Sequence, residues 1–114
     1  MIEPSLWIFW WLLAGHALAD FGLQSEFMAR NKNRNLSPSY QPPYTTWPYV
    51  LGSHALIHGI MVAIITGDAR LGIAETTFHF VIDFGKCEKW YGNHADQAMH
   101  ILCKVAWTYL AING

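Results

Sequence analysis

The sequence predicts an all-α protein, a four-helix transmembrane bundle with antiparallel up-down topology and a polar loop between helices 1 and 2. Hydrophobic residues make up 53% of the 114 residues and charged residues only 13%, about half of the roughly 25% that is usual in soluble domains. The apolar residues fall into four runs, each near the length that a helix needs to cross a bilayer. Inside these runs, histidines and acids recur four residues apart, which is one helical turn.

The whole chain, residues 1–114, is predicted to be a single integral membrane domain with helices at about 5–23, 47–66, 69–86 and 94–112. The first run begins with three tryptophans within residues 7–11, which is typical of a membrane interface. Residues 25–46 are polar and contain several prolines, so they predict a loop with a short amphipathic helix around residues 26–30. Tyr40, Tyr44 and Trp47 indicate that this loop returns along the interface. Gly67 and Asp68 predict a tight turn.

The charges exclude one class of partner and predict an orientation. The net charge of −1 gives no footprint for nucleic acid, so none is expected as a partner. Cys87 and Cys103 have no metal-ligand spacing and are expected to be reduced thiols. Arg70 alone lies on one side of the predicted bundle, and five basic residues lie on the other side, in the first and third connections: Arg30, Lys32, Arg34, Lys86 and Lys89. The positive-inside rule then predicts an integral membrane protein with both termini outside the cytoplasm.

Each apolar run carries polar residues on one helical stripe. The third run places Glu75, His79 and Asp83 on a single face, and the other runs contribute the pairs His16 and Asp20, His54 and His58, and Asp96 and His100. Depth from the basic side follows from a rise of about 1.5 Å per residue. It puts three acids at the first level, namely Asp20, Asp83 and Asp96. Four histidines lie one turn deeper: His16, His54, His79 and His100. His58 and Glu75 lie one turn below these. Four antiparallel helices would therefore gather all of them.

Polar groups at this depth need partners, because an apolar surrounding offers none. We predict a divalent metal site, with one or two ions held by His16, Asp20, His54, His58, His79, Asp83, Asp96 and His100. Nitrogen and carboxylate donors without cysteine favour zinc, then manganese or iron. One alternative is a hydrogen-bonded His–Asp network that only locks the bundle. Another is haem with axial histidines, which leaves the acids at the same level unexplained.

Four segments of the chain carry a resemblance to a known family: His16-Ala-Leu-Ala-Asp20-Phe-Gly-Leu-Gln24, His54-Ala-Leu-Ile-His58, His79-Phe-Val-Ile-Asp83-Phe-Gly-Lys86 and Asp96-Gln-Ala-Met-His100. Together they resemble an uncharacterised family of small bacterial and phage membrane proteins, the domain of unknown function 3307, over residues 8–112. The resemblance implies a location in the bacterial inner membrane. More distantly, the pattern is similar to the membrane-bound metal-dependent hydrolases, which also gather His and Asp among short apolar helices. The first family implies no established reaction, so hydrolysis is an analogy with the second.

The first functional hypothesis is a metal-dependent hydrolase that acts on a lipid or phosphoester substrate near the cytoplasmic face. Glu75 or Asp96 would act as general base, and Lys104 or Lys86 would stabilise a developing anion. The second is a divalent-metal or proton transporter, although large apolar side chains close the outer halves of the runs. The third is a non-enzymatic membrane subunit with a structural His–Asp network. The expected partners are the lipid bilayer and a second copy of the chain, because four short helices make a thin bundle.

Overall fold

The computed structural model describes residues 3–35 and 46–114, and within them the chain is all-helical and has no strand. A π-helical turn, Leu18–Gly22, directly follows the first helix. The five α-helices of the described residues are α1 (Pro4–Ala17), α2 (Glu26–Asn31), α3 (Thr46–Thr66), α4 (Ala69–Cys87) and α5 (Asn93–Asn113). The predicted return of the loop at Tyr40 and Tyr44 lies outside the described residues.

Local capping explains where several helices begin. The side chain of Ser25 accepts a hydrogen bond of 3.1 Å from the backbone N–H of Met28, which satisfies a free donor at the start of α2. Asp68 does the same for α4, because its Oδ1 accepts from the backbone N–H of Arg70 at 2.9 Å. Gly67 adopts a φ of 70°, a left-handed conformation that glycine tolerates, and so lets α3 turn back into α4.

The four long helices run alternately up and down. Ser5 at the start of α1 and Asn113 at the end of α5 line one groove, and Asp68 before α4 lines another with Gly114. The opposite end holds Lys86 near the end of α4, together with the start of α5. The short helix α2 packs against α3, and the most extensive helix–helix contact is that between α3 and α4.

The distribution of polarity is inverted relative to a soluble domain. A small apolar core lies toward the end that holds both termini and consists of Leu12, Val62, Leu71 and Trp107. The rest of the interior is largely polar, although Ala19, Leu51, Ala55, Ile82 and Cys87 are buried in it as well. The buried polar residues are His16, Asn31, Lys32, His54, His58, Glu75, His79, Asp83, Asp96, His100, Lys104 and Thr108. Large apolar side chains instead face outward on every long helix, among them Trp10, Ile64, Phe78 and Leu102. Soluble monomers rarely expose so much contiguous apolar surface.

The predicted four-span transmembrane bundle is not supported by the helices as they stand. Within the described part of the chain, α3 alone is long and apolar enough to cross a membrane, with a mean hydropathy of 1.6. The α-helical part of α1 has only 14 residues, because the π-helical turn interrupts it. Helices α4 and α5 carry the charged and polar side chains of the interior, and these lower their hydropathy. The predicted location with both termini outside the cytoplasm is likewise unsupported by this test.

Two glycines let α3 and α4 approach closely. A Cβ added at Gly59 would lie 2.6 Å from the carbonyl oxygen of Gly72 and would also meet the Thr76 side chain. A Cβ added at Gly72 would lie 2.7 Å from the Cβ of Ala63. Small residues allow such backbone contacts between helices. A Cβ at Gly52, in the same helix as Gly59, would meet no atom within 4 Å.

We expect Gly72→Ala to lower the free energy of unfolding by about 1–3 kcal/mol, the usual cost of forcing an extra methyl group into a packed interface. Gly52→Ala is the matched control and should raise it by about 0.5–1 kcal/mol, because alanine restricts the unfolded chain and nothing obstructs its methyl group. Thermal unfolding of the two variants in detergent measures both effects. Equal stability of the two variants would contradict the close α3–α4 contact.

Candidate metal centre

The interior polar side chains meet in one cluster at the end opposite the termini. We call it the His–Asp cluster and define it by Asp20, His54, His58, His79, Asp83, Asp96 and His100. Its members come from the π-helical turn and from α3, α4 and α5, so that no single helix could form it. All are buried except Asp20, whose side chain is 10% exposed. Among the described residues, three groups place their ligand atoms within 4.8 Å of one another, and one of these groups adds Glu75 to members of the cluster. The groups are Asp20, His54, His58 and His79, then Glu75, His79 and His100, then Asp83, Asp96 and His100.

One oxygen of Asp20 faces three imidazoles. Its Oδ1 lies 3.2 Å from the Nε2 atoms of both His54 and His58, which are one turn apart on α3. The Nε2 atom of His79, on α4, lies 3.9 Å from the same oxygen. Three nitrogens and one carboxylate oxygen in this arrangement are the donor set of a typical zinc site.

Asp83 connects this first group with a second one. Its Oδ1 lies 3.1 Å from the Nε2 of His100, and the same nitrogen lies 3.3 Å from Oδ1 of Asp96. The other oxygen of Asp83 lies 3.4 Å from Nε2 of His54 and 3.5 Å from Nε2 of His79. Asp83 therefore has one oxygen toward each group and would be within reach of an ion held in either.

The π-helical turn sets the position of Asp20. The backbone N–H of Leu23 donates to the carbonyl of Leu18 at 2.8 Å, five residues back, so the turn is wider than an α-helical one. Asp20 remains one turn from His16, with 3.7 Å between Nε2 and Oδ2, while its other oxygen reaches α3. Such single π turns occur frequently at functional sites.

Glu75 supports the cluster from behind. Its Oε2 lies 2.9 Å from Nδ1 of His79, and its Oε1 accepts hydrogen bonds of 2.8 Å from Nζ of Lys104 and from Nε1 of Trp107. Glu75 and Lys104 are each only 1% exposed. A carboxylate beside Nδ1 fixes the proton there and leaves Nε2 with a free lone pair, as in carboxylate–histidine–metal arrangements.

The free lone pair on Nε2 of His79 accepts no hydrogen bond from the described residues. Within the described residues, its Nε2 is buried and has no hydrogen-bond partner, and the same holds for Oδ1 of Asp96. The polar atoms nearest to that Nε2 include Oδ2 of Asp83 at 3.5 Å and Oδ1 of Asp20 at 3.9 Å, which are also acceptors. Buried acceptors that face one another without a proton between them repel. A cation at their centre would relieve this repulsion, so the residues fit a divalent ion with nitrogen and oxygen ligands.

Two further residues of the site were not predicted. Lys32, interpreted from sequence as an orientation-determining basic residue, is buried, and its Nζ donates to Oδ2 of Asp83 at 3.0 Å. The amide nitrogen of Gln97 donates to Oδ2 of Asp20 and to Oδ2 of Asp96, both at 3.1 Å. The position of Gln97 directly after Asp96 could have identified it. Because its amide is neutral, however, it is not recognised by a pattern made of acids and histidines. Lys32 follows α2 in a segment without helical periodicity, and no signal points to it.

A pocket of about 280 Å³ gives access to the cluster from the basic end of the bundle. Its walls contain the three aspartates, two lysines and four other residues, namely Asp20, Asp83, Asp96, Lys32, Lys86, Phe21, Gln24, Asn93 and Gln97. Of the predicted anion-stabilising residues, Lys86 therefore lies at the pocket, whereas Lys104 pairs with Glu75. A mouth with both acids and lysines can bind a cation deep inside and an anionic group above it.

A surface ion pair fixes the segment that carries Lys32. The guanidinium of Arg34 donates from Nε to Oε2 of Glu88 at 2.9 Å. Hydrogen bonding to Arg34 holds the pKa of Glu88 below its usual value. Asn35 donates to the carbonyl of Cys87 at 2.9 Å. The chain after α2 is thereby attached to the end of α4, next to the pocket.

Comparison with known proteins places the chain in a family. No curated protein and no solved structure matches the chain. A family model described as "Protein of unknown function (DUF3307)" matches residues 8–113. The matched region contains the whole His–Asp cluster together with Glu75, Gln97 and Lys104. Because the match spans nearly the full chain, this protein belongs to the DUF3307 family of proteins of unknown function.

Proposed function

We propose that this protein is a small membrane metalloprotein whose His–Asp cluster binds one or two divalent ions and supports hydrolysis of a lipid or phosphoester substrate. One observation carries the proposal: His79, Asp20 and Asp83 direct acceptor atoms at one another in a buried space. The proposed ions are zinc first, and manganese or iron otherwise.

The two groups of the cluster would provide two ion positions. The first ion would be held by Asp20, His54, His58 and His79, and the second by Asp83, Asp96 and His100. A bound divalent ion would supply Lewis-acid chemistry, polarising a phosphoryl or acyl oxygen and activating water.

The protein's own residues would bind the substrate and accept its proton. Lys86, at the pocket, is placed to bind an anionic oxygen. With one ion at the first position, Asp96 would be free at the pocket wall to accept a proton, whereas with two ions it would become a ligand. Glu75 and Lys104 are committed to each other and to His79, so we assign them to holding this histidine rather than to the base and anion roles.

The outward apolar surface supports a location in the lipid bilayer. Each long helix exposes large apolar side chains, such as Trp10, Ile64, Phe78 and Leu102. Lipid tails would cover this surface and at the same time favour the polar interior, because polar groups in a bilayer turn inward. The pocket end also carries most of the basic residues, so we place it at the cytoplasmic side and the termini at the other.

Two other functions make different predictions. A metal or proton transporter needs polar steps across the whole bundle, but Leu12, Val62, Leu71 and Trp107 fill the end away from the cluster. A purely structural network has one point in its favour, the hydrogen bonds that Lys32 and Gln97 donate into the cluster. It predicts a metal-free protein whose thermal stability is unchanged by chelators.

The function is tested with detergent-purified protein loaded with zinc, manganese or iron and mixed with a lipid phosphate in micelles or with a soluble phosphoester. We expect Asp96→Asn to lower turnover by about 100-fold or more, the contribution of a general base, while the ion at the first position stays bound. His94→Gln, in the same helix but with an exposed side chain, is the matched control and should keep full turnover. Loaded protein that turns over none of these substrates would contradict the hydrolase, and protein that binds no ion would contradict the metal centre.

A further inference from the structure

His16 and Gln97 form a pair at the edge of the cluster. The Nε2 atom of His16 lies 3.0 Å from Oε1 of Gln97. The amide nitrogen of Gln97 donates to Oδ2 of Asp20 and to Oδ2 of Asp96, both at 3.1 Å. One amide therefore joins three residues that were predicted as metal ligands, from α1, the π-helical turn and α5.

The two carboxylates fix the orientation of this amide. A carboxylate oxygen can only accept, so the atom of Gln97 between Asp20 and Asp96 must be its NH₂ group. Rotating the amide by half a turn would put its carbonyl oxygen against both carboxylates and lose two hydrogen bonds to charged groups, which are about twice as strong as neutral ones. The carbonyl oxygen of Gln97 therefore faces His16.

This orientation decides the proton position on His16. The oxygen of Gln97 has no hydrogen, so the contact of 3.0 Å is a hydrogen bond only if Nε2 of His16 carries the proton and donates. A nitrogen that carries a proton has no lone pair for a metal ion, so Nδ1 would be the only nitrogen of His16 able to bind one. Nδ1 is buried and has no hydrogen-bond partner among the described residues. Neither nitrogen of His16, however, belongs to the three groups whose ligand atoms converge, whereas the other four buried histidines all belong to one.

We infer that His16 is not a metal ligand and that His16 and Gln97 are positioning residues, which hold Asp20 and Asp96 in the ligand geometry. The inference rests on the proposed metal centre and narrows its ligand set to the seven residues of the His–Asp cluster. Outer partners of metal ligands typically change metal affinity by about 10–100-fold when they are removed. Loss of a ligand instead changes the number or the coordination of the bound ions.

A cobalt titration separates these two roles, because the visible absorption of Co²⁺ reports its ligands. We expect His16→Gln and Gln97→Met to bind as many Co²⁺ ions as the wild type, with the same spectrum and with affinity lowered by about 10–100-fold. His58→Gln, which removes a ligand, should change the spectrum, and His94→Gln should match the wild type throughout. A changed spectrum or a lost ion in His16→Gln would overturn the inference.

A second measurement does not depend on metal. In ¹⁵N-labelled wild-type protein treated with a chelator, we expect the proton of His16 on Nε2 and not on Nδ1, with His16→Gln identifying the signal. A proton on Nδ1 would overturn the inference even if the cobalt titration succeeded. Wild-type protein that binds no Co²⁺, Zn²⁺ or Mn²⁺ would overturn the proposed function instead, and the proton position would then decide the His16–Gln97 assignment alone.

Discussion

Replacing His79 by alanine is expected to remove bound metal from the protein. His79 belongs to two of the three converging groups, and its Nε2 faces both Asp20 and Asp83. Its loss leaves the first ion position with three ligands and opens space for water beside Asp83 of the second. We therefore expect affinity to fall by more than the roughly 100-fold upper limit for an outer partner. Elemental analysis of detergent-purified protein should give near-stoichiometric zinc, manganese or iron in the wild type and almost none in His79→Ala.

The control for this experiment is the exposed histidine of α5. His94→Gln removes an imidazole that lies outside the cluster, so its metal content should equal that of the wild type. Circular dichroism checks that His79→Ala keeps its helices, since Glu75 retains its contacts with Lys104 and Trp107. Equal metal in His79→Ala and in the wild type would refute the site. No metal in either, with normal folding, would leave the cluster as a structural network.

The second large effect concerns the buried ion pair behind the cluster. Glu75→Leu is expected to lower the free energy of unfolding by about 3–5 kcal/mol, the usual result of removing one partner of a buried pair. The ammonium group of Lys104 is only 1% exposed, and it would lose its carboxylate without gaining water. Chemical unfolding in detergent, monitored by circular dichroism, measures the loss.

A double replacement isolates the pair itself. Glu75→Leu combined with Lys104→Met removes both charges, so most of the lost stability should return, and the two single effects should be strongly non-additive. The surface pair of Arg34 and Glu88 offers the comparison. Replacing Glu88 should change stability far less, because the Arg34 side chain is half exposed and water screens its charge. If the Glu75 and Lys104 effects simply add, the pair is not coupled in the folded protein.

The gathering of the cluster was predictable from two regularities. Spacing of four residues puts His54 and His58, or His79 and Asp83, on one helical face. Antiparallel helices of similar length then bring residues at equal depth together. The same count also places Lys104 at the level of Glu75, since each lies two helical turns beyond an aspartate at the pocket. Their ion pair could therefore have been predicted from the sequence, although the sequence pattern suggested catalytic roles for both residues.

Other features depend on interactions that periodicity does not express. Lys32 reaches Asp83 because Arg34 attaches the following segment to the end of α4, and this is a tertiary contact between distant parts of the chain. Gln97 matters through the geometry of a neutral amide, which no charge pattern shows. The apolar runs predicted four membrane spans. The polar residues that form the interior, however, lower the mean hydropathy of α4 and α5 below that of a typical membrane span.

At the end of α1, the number of residues in the π-helical turn matters more than their identity. This turn accommodates one residue more than an α-helical turn, and each residue of an α-helix advances the rotation by about 100°. Deleting Leu18 or Ala19 would let the helix close normally and swing Asp20 away from His54 and His58 by about that angle. Phe21, which points outward, should accept many substitutions. This short stretch should thus tolerate substitutions at exposed positions but not the loss of a residue.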